Sequence, residues 1–272
     1  MDRAPNPPLD SDAPLRREDR GGVAVLTLDR PRQYNALDSG LLDALHRAVD
    51  AIATDESVRV VMITGSGKAF CSGHDLREIR AAADDGAALF ASCSTFMQKL
   101  VALPQPVIAV VNGLATAAGC QLVAQCDLAV AAESARFAVS GVNLGLFCST
   151  PAVALSRNLG RKRAAEMLFT GEFIDARQAL EWGLVNRVAE DARLTDAAQE
   201  LAQALLAHPR DSLALGKALF YRQLEAPLTA AYADASRTIA SNMGADYARE
   251  GVDAFLEKRA PRWPAGGEDP RG

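Results

Sequence analysis

The chain has 272 residues, of which 49% are hydrophobic, 23% charged and 6% aromatic, and it carries a net charge of −5. This length suits one large α/β unit better than two full domains, and the composition is that of a folded soluble protein, not a disordered one. The acidic balance argues against nonspecific binding of nucleic acid, which relies on dense Lys and Arg.

The five cysteines, Cys71, Cys93, Cys120, Cys126 and Cys148, are odd in number and include no CxxC pair, so neither a disulfide framework nor a zinc site is expected. The three histidines, His46, His74 and His208, stand far apart, and no metal is expected. The most apolar stretch, residues 106–120, is interrupted by Asn112 and two glycines and falls short of the roughly 20 residues that span a bilayer. No membrane association is expected.

In chain order, residues 23–28 alternate and are β-branched before Asp29-Arg30-Pro31, which predicts a strand and a turn. Leu37, Leu41, Leu42, Leu45, Val49 and Ile52 recur at helical spacing, with Asp38 or Ser39 to cap the start. Residues 58–64 form an apolar run closed by Gly65-Ser66-Gly67, as in a strand buried on both faces. Residues 75–78 read as a capping box opening a helix toward Ala83, residues 87–101 as another helix, and residues 106–111 as the next buried strand. Small residues 115–120 lead into a short helix through Ala124, and residues 127–132 form a strand. From Ser149, where Ser149-Thr150-Pro151 offers a capping hydroxyl and an N1 proline, the pattern is helical apart from a short strand at 184–188. Helices are predicted at 192–207, 212–222, 228–241 and 246–258.

This order predicts a solvated tail (1–20), a β/α core (21–190), a helical region (191–260) and a frayed end (261–272). The start has acidic residues and no apolar h-region, which predicts a cytoplasmic protein. A helical appendage on such a core predicts packing against another copy of the chain.

Two strands run into small-residue loops that open helices: residues 70–75, FCSGHD, and residues 112–120, NGLATAAGC. Small residues admit a ligand to the backbone, and the first N–H groups of a helix lack intrahelical acceptors. Two such N–H groups converging would make an oxyanion hole; close helix packing is the alternative use of the same glycines and alanines.

Several segments carry a resemblance. RPRQYNAL (30–37), FCSGHDL (70–76), PVIAVVNG (106–113), GCQL (119–122), Cys126-Asp127, MLFTG (167–171) with residues 175–185, and FLEKR (255–259) together resemble, in order, the motifs of the crotonase, or enoyl-CoA hydratase/isomerase, superfamily. The resemblance implies a crotonase (ClpP-like) spiral of ββα units with a C-terminal helical region that forms a trimer or a dimer of trimers. The implied ligand is an acyl-CoA, with no cofactor beyond the coenzyme A of the substrate. The implied oxyanion hole is the N–H groups of His74 and Ala118. Ser72, Asp75, Leu76 and Arg77 would line the thioester and pantetheine, Arg32, Gln33 and Tyr34 the nucleotide end, and Lys258 would reach a CoA phosphate, from a neighbouring subunit in some members.

The chain departs from the family at the two positions where its hydratases carry water-activating glutamates, which here are Gln121 and Gly141. A neutral amide orients water but cannot take its proton. The stretch LFCSTP (146–151) also replaces a Gly-rich segment of the hydratases. Cys148 reads as a small packing residue, with a nucleophile as the alternative; the His74 imidazole, Glu78, Ser140 and Asn143 are further candidates near substrate. The expected function is an acyl-CoA thioester enzyme of this family. The alternatives are a non-catalytic or regulatory acyl-CoA-binding protein and another CoA-ester reaction, such as hydrolysis or decarboxylation.

Overall fold

Runs of β-branched and small apolar residues dictate the centre of the fold. The computed structural model describes residues 13–82 and 86–263. In chain order the elements are β1 (Leu15–Arg20), β2 (Val23–Leu28), α1 (Ser39–Ala53), β3 (Val60–Gly65), β4 (Ala69–Cys71), α2 (Leu76–Ala81), α3 (Ala87–Ala102), β5 (Val107–Val111), β6 (Leu114–Thr116) and α4 (Ala118–Gln125). There follow β7 (Leu128–Ala132), β8 (Arg136–Ala138), α5 (Ser149–Asn158), α6 (Arg161–Thr170), β9 (Ile174–Asp175), α7 (Ala176–Trp182), β10 (Arg187–Ala189), α8 (Leu194–Leu206), α9 (Arg210–Leu224), α10 (Leu228–Met243) and α11 (Asp246–Leu256).

One sheet has the order β1-β2-β3-β5-β7-β10 and a second the order β4-β6-β8-β9. Each turn of the chain lays one strand in the first sheet and the next in the second, then adds a helix: β3, β4 and α2; β5, β6 and α4; β7, β8 and α5. This is the ββα spiral. Pairing is parallel except at β1–β2 and β8–β9. Every residue of β5 is buried, as expected where a parallel strand is covered on both faces.

The structure corrects several sequence expectations. Residues 15–20, placed in the tail, form β1 and pair with β2 along their whole length. Only Leu15 of LRREDR is buried; charged residues on an edge strand suit its open side but mask it as a strand. The late strand lies at Arg187–Ala189, and the short strands of the second sheet escape periodicity because three residues cannot show a pattern. Asp75 caps α2 by accepting Arg77 N–H, while the Glu78 carboxylate accepts the Ser39 N–H of α1 at 3.0 Å, so it tethers two helices and closes no capping box. Ser149 lies inside α5 and donates its hydroxyl to Phe147 O. The expected extensions to residues 1–12, 83 and 264–272 lie outside the described residues.

Candidate active site

The site begins where the two loops touch. Gly73 has φ +93°, and a Cβ there would stand 2.9 Å from Ala117 Cβ and 3.2 Å from Ala118 N. Only glycine fits this contact. Thr116 Oγ1 donates to Ser72 O at 3.0 Å, tying the loops a second time.

Backbone geometry then aims two donors. Leu37 N–H donates to Gly73 O at 2.7 Å and Asp75 N–H to Leu37 O at 2.9 Å. In such a parallel bridge the intervening residue turns its own N–H to the opposite side, so His74 N–H faces away from Leu37. Ala117 donates to Ala138 O at 2.9 Å and adopts φ 49°, ψ −119° just ahead of α4. That conformation costs roughly 1–3 kcal/mol for a residue with a side chain, and it turns Ala118 N–H out as a free first donor of α4. Among the described residues neither donor has a hydrogen-bond acceptor.

The entry loop is pinned from below. Asn35, fully buried with φ 55°, accepts Arg30 N–H and donates to Ser66 O and Ala69 O. Arg30 pairs with Asp38 at 2.7 Å and Asp75 at 3.4 Å, and Ser72 N–H donates to Tyr34 O. The loop carrying Arg32 to Tyr34 is thereby fixed against the loop carrying His74.

A cavity of about 780 Å³ opens between these loops. Of the residues expected at the site, Arg32, Gln33, Tyr34, Ser72, His74, Asp75, Leu76, Arg77, Gly141 and Cys148 line it, and so does Ser140. Ala118 follows two lining residues, Thr116 and Ala117. Gln121 is 4% exposed on the first turn of α4, its Oε1 without a partner among the described residues. Asn143 is exposed and turns its amide to Gly171 O. Lys258 is exposed beyond α11 and does not line this cavity. Sequence reading missed Phe90, Ile79, Leu144, Leu146 and Phe147, which also line it. Phe90 and Ile79 carry no signal beyond helical periodicity, whereas exposed Leu146 and Phe147 belong to the segment already marked as divergent.

The electrostatics of the cavity are weakly basic at best. The His74 ring stands edge-on to Phe90 at 4.9 Å, and its Nε2 is buried without a partner. Burial lowers its pKa from 6.5 to about 4, so it is neutral at physiological pH. The unfolded chain therefore takes up a proton that the folded chain refuses. Stability is complete above pH 6.5 and falls by at most about 3 kcal/mol as pH drops toward 4. His74→Phe should flatten that part of a denaturation-midpoint profile; an unchanged slope would exclude His74 as its source.

At the far wall Gly141 N–H donates to Cys148 Sγ at 3.3 Å. A Cβ at 141 would stand 2.8 Å from that sulfur and 2.9 Å from Leu146 O, so the 146–148 segment fills the space that a side chain at 141 would need. Burial pushes the Cys148 thiol pKa up, opposed by the Gly141 N–H. The one carboxylate lining the cavity among the described residues, Asp75, caps α2 and pairs with Arg30. Among the described residues no cluster of three His, Cys, Asp or Glu could hold a metal ion, and no helix is long and apolar enough to cross a membrane.

Comparison with known proteins agrees with this architecture. The family model for enoyl-CoA hydratase/isomerase matches residues 18–266. Enoyl-CoA hydratase domain-containing protein 3, mitochondrial, of Rattus norvegicus is 45% identical over 244 residues, 89% of this chain and 81% of that protein. Among solved structures, an enoyl-CoA hydratase of Mycobacterium smegmatis is 55% identical with a TM-score of 0.90, covering 92% of this chain and 98% of that one. The human domain-containing protein 3 is 43% identical with a TM-score of 0.89, covering 92% and 100%. Within that family these relatives place the chain with the domain-containing protein 3 subgroup. The cytoplasmic expectation is corrected by the names of the rat and human relatives, which are mitochondrial. With the spiral, the paired loops and the family match in agreement, the chain belongs to the enoyl-CoA hydratase/isomerase family.

Proposed function

We propose that this protein binds acyl-CoA thioesters in the cavity and polarises their carbonyl between the N–H groups of His74 and Ala118, without carboxylate-driven addition of water. One observation carries the reading: two unpaired N–H donors stand beside a cavity whose only lining carboxylate among the described residues is already committed to Arg30 and the α2 cap. Gln121 and Gly141 offer no base. Loss of general acid–base help lowers a rate by roughly 10²–10⁴, so hydration of crotonyl-CoA should run far below that of hydratases with both glutamates. Hydration at a typical hydratase rate would reject the proposal.

Polarisation has its own test. The carbonyl stretch of bound butyryl-CoA should move to lower frequency than in solution. Replacing the residue-118 amide by an ester removes the N–H while keeping φ and ψ, and should reverse most of that shift. On any CoA-ester that the protein turns over, the same change should cost roughly 10²–10³ in rate. An unshifted carbonyl in the wild-type protein would remove the oxyanion hole.

A purely binding role is favoured over turnover by the neutral His74 and amide Gln121, and a thiol-release assay across CoA-esters separates the two. Self-association is part of the proposal. Leu224, Leu228, Tyr232, Phe255 and Leu256 on α9 to α11 are 59–82% exposed in the single chain, and such apolar faces mark association surfaces. A trimer or dimer of trimers would cover them and bring a neighbour's Lys258 within reach of a CoA phosphate; sedimentation showing only monomer would end this part.

A further inference from the structure

We infer that Cys148 is a nucleophile toward the ligand itself, its thiol adding to the β-carbon of a 2-enoyl-CoA in the cavity to give a covalent thioether. The inference rests on the acyl-CoA reading of the cavity given above.

Four features converge on it. Cys148 lines the cavity, and its Sγ lies where a side chain at 141 would stand, accepting the Gly141 N–H at 3.3 Å. That N–H is a donor able to hold a thiolate. Among the described residues the other ionisable lining groups, Arg32, Tyr34, His74, Asp75 and Arg77, include no comparable soft nucleophile: the guanidiniums stay protonated and Asp75 is paired. His74 Nε2 on the same cavity, and Gln121 Oε1 on the turn that begins beside it, are buried polar atoms without partners. Buried polar groups are normally satisfied, so the His74 Nε2 on the cavity points to a polar atom that a ligand brings.

The chemistry follows from the same donors. N–H groups that draw charge onto the thioester oxygen leave the β-carbon electron-poor and stabilise the enolate formed on addition. The thiol proton leaves to solvent, the sulfur bonds to the β-carbon as the alkene π pair becomes the Cα=C1 bond and the carbonyl π pair moves onto oxygen, and Cα then takes a proton from water as the carbonyl re-forms. The net change is addition of S–H across the double bond. Nothing is oxidised or reduced, coenzyme A stays attached, and elimination reverses the step. The thiolate is the reacting species, so the rate should rise about tenfold per pH unit below the thiol pKa. Cys71, Cys93 and Cys120 are buried thiols at about 12, and neither they nor Cys126 line the cavity, so the adduct should be confined to Cys148.

Intact-protein mass spectrometry after incubation with crotonyl-CoA tests this, with butyryl-CoA titrated calorimetrically alongside. The expected result is a mass gain equal to the whole crotonyl-CoA, faster at pH 8.5 than at pH 7. It should be absent with saturated butyryl-CoA and in Cys148→Ser, which keeps an acceptor for Gly141 N–H. A gain of the acyl group alone, an adduct on another cysteine, or one that survives in Cys148→Ser overturns the inference. No adduct despite butyryl-CoA binding overturns it while leaving the binding function standing, and no adduct with no binding overturns both.

Discussion

Gly119→Ala should yield a protein with sharply reduced stability and at least tenfold weaker acyl-CoA binding in whatever folded fraction remains. The new methyl group would stand 2.0 Å from Cys71 O and 2.7 Å from Cys71 C. Both are backbone atoms of β4, which cannot rotate away as a side-chain end would. Either α4 or β4 must therefore move by more than an ångström, in an interior packed as densely as a crystal. Overpacking costs typically about 1–3 kcal/mol and more where the neighbour is rigid, so the loss should lie at or above the top of that range. The same displacement separates Ala118 N–H from His74 N–H, because α4 starts at one and β4 leads to the other. Urea denaturation with butyryl-CoA titration reads both effects. Gly216→Ala is the control, since no atom lies within 4 Å of the added methyl in the interior of α9, and there alanine should be neutral or stabilising by up to about 1 kcal/mol. A Gly119→Ala midpoint equal to that control would refute the contact.

Lys217→Met should cost about 3–5 kcal/mol, the price of leaving a buried charge without its counterion. Lys217 is 9% exposed, and its ammonium donates to Leu100 O, Gln105 O and Asp127 Oδ2 at 2.7–2.9 Å. Asp127 also accepts Val107 N–H and the Tyr221 hydroxyl. One carboxylate thus joins the start of β5 to α9, and burial lowers the Lys217 pKa against the pull of Asp127. Lys217→Met/Asp127→Asn should recover much of the loss, because the amide can still accept from Val107 while no charge is stranded. A double variant no more stable than the single one would place the energy in the two carbonyl contacts instead of the ion pair.

Much of the scaffold was legible because burial imposes sequence patterns. The run VVMI in β3 and VIAVV in β5 could only be central parallel strands, and Leu41, Leu42, Leu45, Val49 and Ile52 trace one face of α1, all buried. The small-residue loops announced a backbone-based site, since Gly73 and Gly119 are required wherever one main chain presses on another. The order of motifs, more than any one of them, carried the family.

Other elements were hidden because their stability comes from partners distant in sequence. β1 reads as charged coil until β2 supplies its ladder, and β4, β6 and β8 are too short to show a period. Glu78 looks local and instead reaches Ser39. Lys217 resembled any helical lysine until the fold set it against Asp127, ninety positions away.

The sequence by itself determined the family, because that depends on residue identity at a few ordered positions, and the expectations of an acyl-CoA ligand and of two absent carboxylates followed from the resemblance. Only the tertiary structure decided that His74 is neutral, that Cys148 fills the space beside Gly141, and that Asp75 on the cavity wall is already engaged. Protonation, occupied volume and pairing belong to the neighbourhood of a group in space, and a linear order of residues does not fix that neighbourhood.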